Sequence, residues 1–262
     1  MIKIVDVWHH YGVRPTLRGV NLQVQPGELM CVMGPNGMGK STLLAVAGGV
    51  EPCLEGYVEI NGRRRRETVE QERAVRREVV YLPAEPWLPR DLTGREWLMG
   101  VGQIYGVPAR RLFKRTDKLL GVFDLSDHGD RVISSYSTGQ VKKIGLCGAF
   151  ITEAPVLILD EPLSGGLDAS ALLAVEKILR HLAKRQDVTV LMAVPVPELV
   201  DRVADRVAVI VEGEIQTVGT PAELCEATGQ KTLAQALDAM VHPGADDAVS
   251  RFLAGDGGLD ED

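Results

Sequence analysis

The chain has 262 residues, enough for one large domain or two modest ones, and 45% apolar against 25% charged residues is the balance of a folded globular protein, which excludes disorder as the main state. Its longest apolar runs, 29–33, 156–159 and 188–196, are strand-sized and far short of the ~18 residues that a membrane-spanning helix needs, and the start MIKIVDVW has no secretory pattern, so a cytoplasmic protein is expected. The 29 Lys and Arg against 36 Asp and Glu leave a net −7, most of it in 246–262, where six acids face one arginine; the body is nearly neutral, and no nucleic-acid partner is expected.

Residues 2–7 and 17–24 have the mixed alternation of strands, and the turn at 25–28 leads into the fully apolar strand 29–33. Residues 34–42 then read GPNGMGKST, matching G-x-x-x-x-G-K-[ST] between an apolar strand and a helix expected over 39–47. In that setting Gly34, Gly37 and Gly39 let backbone N–H groups point into one concavity, and the helix adds its positive end, so phosphate oxygens are bound by main chain. Pro35, Asn36, Met38 and Thr42 complete this nucleotide-binding loop. Lys40 supplies charge between the β- and γ-phosphates, and Ser41 offers a hydroxyl to Mg²⁺, which takes few protein ligands; the alternative is a glycine-rich turn with an incidental lysine.

A short strand at 57–60 ends in the turn pair Asn61-Gly62. Arg63, Arg64, Arg65 and Arg66, with Arg73, Arg76 and Arg77, form a basic stretch offset by Glu67, Glu70, Glu72 and Glu78, read as a solvated face, with an anion or headgroup role as the alternative. From about 93 to 150 helical spacing takes over, as in Trp97, Val101, Ile104 and in Leu112, Leu119, Leu120, which marks a helical insertion of about 87–150. Strands return at 156–159, 188–193 and 207–211, with a helix at 169–184. The expected fold is therefore α/β: a phosphate-loop core on a parallel sheet covered on both faces, an antiparallel β subdomain at the N-terminus and an α-helical insertion.

The strand 156–159 ends in Asp160-Glu161. Ligands of parallel sheets gather at the carboxyl ends of strands, so Asp160 should sit near the metal and Glu161 near the γ-phosphate, where it polarises water; alone, the pair would equally serve as an ordinary loop entry. After the turn at 219–221 a short helix closes the main domain at 228, and from Gly229 onward polar and acidic residues with Gly255, Gly257 and Gly258 predict a helical, acidic tail, 229–262, that is loosely attached. The cysteines Cys31, Cys53, Cys147 and Cys225 show no metal or disulfide spacing and read as buried thiols.

Between the loop and Asp160 lies Tyr136-Ser137-Thr138-Gly139-Gln140, and after Glu161 comes Ser164-Gly165-Gly166-Leu167-Asp168. The order of these motifs, over roughly residues 1–225, resembles the nucleotide-binding domain of ATP-binding cassette (ABC) transporters. The resemblance implies that Tyr11 stacks on adenine, although a tyrosine there also serves as a packing residue. It implies that Ser137, Thr138, Gly139 and Gln140 form a signature element reaching across a head-to-tail dimer, where the residues alone allow a plain helix cap by Ser137. Asp168 would connect the two sites, and Glu161 would be the catalytic, water-orienting carboxylate of an ATPase using ATP and Mg²⁺.

Two departures accompany the resemblance. Ala84, in Tyr81-Leu82-Pro83-Ala84-Glu85-Pro86, stands where the family has a glutamine, and Pro195 stands where it has a γ-phosphate-sensing histidine. None of His9, His10, His128, His181 and His242 follows the relevant strand. Glu85 is an exposed loop acid or a water-mediated metal contact. The resemblance implies an energising ATPase on the inner face of a membrane, held there by a separate membrane-spanning subunit and paired with itself or with another cassette; weak turnover alone is expected, and the alternative is a slow regulatory cassette paired with a competent one. The partner would dock at about 89–121, with Trp87 and Trp97 either in contact with it or simply buried, and the short insert is exporter-like by the same resemblance.

Overall fold

The computed structural model describes residues 1–185 and 187–241. The chain opens with β1 (Ile2–His10), β2 (Pro15–Val24) and β3 (Leu29–Met33), enters α1 (Lys40–Gly48), and runs through β4 (Glu55–Ile60) and β5 (Arg63–Arg64) to α2 (Val69–Glu78) and β6 (Val79–Leu82). Strands β2-β1-β4-β5, in that order, make an antiparallel sheet. In β1 the buried positions change parity, from Ile2 and Ile4 to Val7 and His9. The cause is a bulge at Asp6, whose φ of 46° shifts the register between Ile4 and Val7 and returns the apolar side chains to the inner face.

The helical insertion consists of α3 (Gly94–Ile104), α4 (Ala109–Val122) and α5 (Thr138–Ile151). A reciprocal cap starts α3: Thr93 Oγ1 accepts from the Glu96 amide, and the Glu96 carboxylate accepts from the Thr93 amide. The three helices close on Leu98, Leu112, Leu120, Phe123 and Ile144, and the Tyr105 hydroxyl donates to the Val79 carbonyl at 2.8 Å, which ties the insertion to β6.

The chain then alternates through β7 (Val156–Asp160), α6 (Ala169–Arg185), β8 (Thr189–Ala193), α7 (Pro197–Val203) and β9 (Arg206–Val211), and ends in β10 (Glu214–Gly219), α8 (Pro221–Thr228) and α9 (Leu233–Val241). The second sheet has the order β10-β9-β3-β8-β7-β6, parallel throughout except for β10, which folds back on β9. Two-sided burial explains the unbroken apolar runs: in β7, Leu157 and Leu159 enter the core shared with the insertion, while Val156 and Ile158 enter the core against α1 and the antiparallel sheet.

Two sequence expectations change. Residues 233–241 are no loose tail: they form α9, with Leu233, Ala236 and Leu237 buried against α7 and α8, at helical spacing. The remainder, 242–262, with Gly255, Gly257 and Gly258, lies outside the described residues. Arg65 leaves the solvated face; it is 8% exposed and pairs with Glu72 at 3.1 Å, while Arg76 Nε reaches the same carboxylate at 2.9 Å. The segment after β8 holds α7, which starts at Pro197, a residue pre-set for the first helical turn.

Candidate nucleotide site

The loop 34–39 connects the end of β3 to α1; Gly34 and Gly39 are required by contact as well as by positive φ, and Gly37 by its φ of 79° alone. A Cβ on Gly34, at φ 149°, would stand 2.1 Å from the Ile210 carbonyl oxygen, so only glycine lets the loop lie against β9. Gly39 enters α1 in the left-handed region at φ 100°, with no side-chain cap and no acid in the first turn. The first amides of α1 are thus open to an anion, unlike those of α2, α3 and α8, which threonine side chains cap. Lys40 is 6% exposed, and its Nζ donates to the Gly34 and Pro35 carbonyls at 2.7 and 2.8 Å, curled over the concavity.

Strand β7 delivers the two acids to the same place. Asp160 is 3% exposed, and its Oδ1 has no hydrogen-bond partner although it is buried. Burial raises its pKa above the usual carboxylate range; the Ser41 hydroxyl pulls it back, the charge of Glu161 pushes it up, and those of Lys40 and Lys142 oppose that. Lys40 is held below the ordinary lysine value by burial, against the pull of Glu161 and Asp160. The four residues at 40, 41, 160 and 161 therefore converge. An orphaned buried carboxylate oxygen beside a serine hydroxyl is a donor set that a divalent cation fits: Ser41 and Asp160 would hold Mg²⁺, with phosphates and water completing its shell.

Glu161 turns away from the strand. Its φ is 49°, its amide donates to the Ala193 carbonyl at 3.0 Å, and Ser164 Oγ donates to its Oε2 at 2.8 Å. The loop beyond β8 carries Pro195, exposed and without an N–H, two residues past Ala193. Ala84 lines a cavity of about 600 Å³ together with Glu85, Thr138, Lys142, Glu161 and Gly165.

At α5, Ser137 and Gln140 cap each other: Ser137 Oγ accepts from the Gln140 amide at 3.3 Å, and Gln140 Oε1 accepts from the Ser137 amide at 2.9 Å. A Cβ on Gly139 would stand 2.6 Å from the Gly166 carbonyl oxygen, so the start of α5 rests directly on the loop after Glu161. Asp168 joins the same contact, its Oδ2 2.5 Å from Lys143 Nζ and its Oδ1 accepting from the Ala171 amide at 2.8 Å. The hydrogen bond from Lys143 holds its carboxyl below the usual range. Tyr11 lies on the turn between β1 and β2, 65% exposed and edge-on to His9, with ring centroids 4.7 Å apart; this exposure removes the reading of a packed core residue. Glu85 is exposed, as its sequence reading had it.

Lys142 and Lys143 were not singled out from the sequence. The available signal was two lysines one turn into a helix whose later positions, 144–151, carry no polar side chain but Cys147, and nothing in their spacing reveals that they face the acids of another segment.

A phosphate loop, an acid-bearing parallel strand beside it, an antiparallel sheet in front and a helical insertion behind define a nucleotide-binding cassette. The family model for ABC transporters matches residues 17–164, and the chain belongs to that family. It is 36% identical over 219 residues to a daunorubicin resistance ATP-binding protein of Streptomyces coeruleorubidus, covering 84% of this chain and 68% of that protein. It is 32% identical over 224 residues to a sulfate/thiosulfate import ATP-binding protein of Nocardia farcinica, covering 86% and 66%. The chain thus spans about two thirds of the length of these curated relatives. Among solved structures, an ATP binding subunit of an ABC transporter superposes with a TM-score of 0.83 at 26% identity, covering 90% of this chain and 97% of that one. A dimeric ATP-binding cassette in a post-hydrolysis state bound to ADP and Pi superposes at 0.75 with 22% identity, covering 84% and 98%, a likeness of fold. Among the described residues no helix is long and apolar enough to cross a membrane.

Proposed function

We propose that this chain is the ATP-binding and ATP-hydrolysing subunit of a transporter whose membrane-spanning parts are separate chains, held by them at the cytoplasmic face. The observation that carries this reading is the convergence of Lys40, Ser41, Asp160 and Glu161 around an acid oxygen without a partner. Main-chain amides of 34–42 and Lys40 bind the phosphates, and Tyr11 stacks on adenine. Mg²⁺ supplies charge neutralisation of the phosphates when bound. Glu161, steadied by Ser164, orients the attacking water and accepts its proton. Ser137, Thr138, Gly139 and Gln140 present the N-terminus of α5 to the γ-phosphate of a second cassette, and Asp168 links the two sites.

An apolar groove of about 540 Å³ between α1 and the insertion, lined by Val50, Tyr81, Pro86, Trp87, Trp97 and Tyr105, supports docking of the membrane partner. Trp87 is 89% and Val50 62% exposed, whereas Trp97 is largely buried against Gly148. The docking surface therefore centres on Trp87 rather than on both tryptophans.

A second reading is favoured by Pro195 and Ala84: turnover is slow, and the chain pairs with a competent cassette while its own site holds ATP as a clamp. The experiment for the primary reading is calorimetric titration of the purified chain with Mg-ATP. Lys40→Ala should remove most of the affinity, and unchanged binding in that variant would refute the phosphate-loop assignment.

A further inference from the structure

Lys142 is 5% exposed, and its ammonium forms no hydrogen bond or ion pair among the described residues. A lysine this little exposed is ordinarily paired; here the ammonium opens onto a cavity instead. The side chain runs beside Gly165, with Nζ 3.0 Å from where a Cβ would stand there, and faces the cavity of about 600 Å³ that also holds Ala84, Glu85, Thr138 and Glu161. Positions 138, 141, 142 and 145 share one face of α5; the first three line this cavity, and a Cβ on Gly145 would stand 2.8 Å from Pro86. That face is turned toward the acids of its own chain.

Lys142 and Lys40 respond to the same two carboxylates: each is lowered by burial first and drawn back by Glu161 and then Asp160. One cation comes from the phosphate loop and the other from α5. Ala84, in the wall of the same cavity, contributes only a methyl group, and Pro195 has no N–H to donate.

We propose that Lys142 donates, within its own chain, to the terminal phosphate of the nucleotide held by residues 34–42, supplying from α5 the cationic contact that positions 84 and 195 do not. The proposal rests on the nucleotide reading above and deepens it. The contact is made only with a third phosphate, so it adds to the preference for ATP over ADP.

The test is calorimetric titration of the full chain with Mg-ATP and with Mg-ADP. In Lys142→Met the ATP affinity should fall about tenfold or more, the range of a lost charge-assisted hydrogen bond, while ADP affinity and melting temperature stay as in the parent. Lys142→Arg should restore most of the preference for ATP. If Lys142→Met does not fold, Lys142→Gln gives the same reading with a neutral polar side chain. An unchanged ATP-to-ADP ratio, or equal losses for both nucleotides, overturns the proposal. If Lys40→Ala also leaves both affinities intact, the nucleotide site itself has been misassigned, which is a different failure.

Discussion

Asp160 and Glu161 are adjacent in the chain yet reach opposite circumstances. Asp160 ends an extended strand, buried, with one oxygen unsatisfied; Glu161 bends into the left-handed region, which costs roughly 1 kcal/mol for a non-glycine residue and is offset by its amide bond to Ala193 and by Ser164. In the proposed function this bend separates the metal-binding acid from the water-orienting one. Pro195 cannot donate to a γ-phosphate, and one missing pre-organised donor typically costs ~10²- to 10³-fold. Hydrolysis by the purified chain should therefore be weak, and Pro195→His, alone and with Ala84→Gln, should raise kcat with little change in ATP affinity. Family-typical turnover in the parent chain, measured by phosphate release, would show that another group already does this work.

At the scale of elements, the Arg65–Glu72 pair fastens α2 to the turn after β5. Glu72 would be raised by burial, but the hydrogen bond from Arg76 and the charge of Arg65 outweigh that and hold its carboxyl below the usual range. A depressed acid stabilises the fold fully above its unfolded pKa, and that contribution fades as pH falls through the lower folded value. Glu72→Ala should cost about 3 kcal/mol at neutral pH by stranding Arg65, and the difference from the parent should shrink in acid denaturant titrations run below the usual carboxylate range. Much of this level was readable in advance. The strands β3, β7 and β8 are continuous apolar runs, and the motif at 34–42 declares both its own loop and the elements beside it. Arg65 and Lys142 were not readable: a charged residue in a run of charges, as at Arg65, carries no mark of burial, and the pair Lys142-Lys143 carries no sign of which charges it meets; only the fold brings Glu72 to one and Glu161 to the other. The loose tail read from 229 onward failed for 233–241, because small and apolar residues spaced for one helix face were outweighed by the acids and glycines beyond them.

For the whole molecule, the antiparallel sheet and the parallel sheet meet at the loop 34–39, while the insertion overhangs Glu161 from the other side. The groove around Trp87 lies between core and insertion, so a partner seated there would touch both bodies. Trp87→Glu with Val50→Glu should abolish co-purification of a membrane-spanning partner from detergent and leave Mg-ATP binding unchanged; persistent co-purification would place docking elsewhere. The backbone contact between Gly139 and Gly166, reinforced by Lys143 and Asp168, has a kinetic consequence. Neither segment can leave the other without exposing both, so the amides at 139–143 and at 164–168 belong to a single opening event. In hydrogen–deuterium exchange they should lose protection at a common rate, and Asp168→Asn should accelerate the two segments together; independent rates would mean that the insertion breathes free of the catalytic loop.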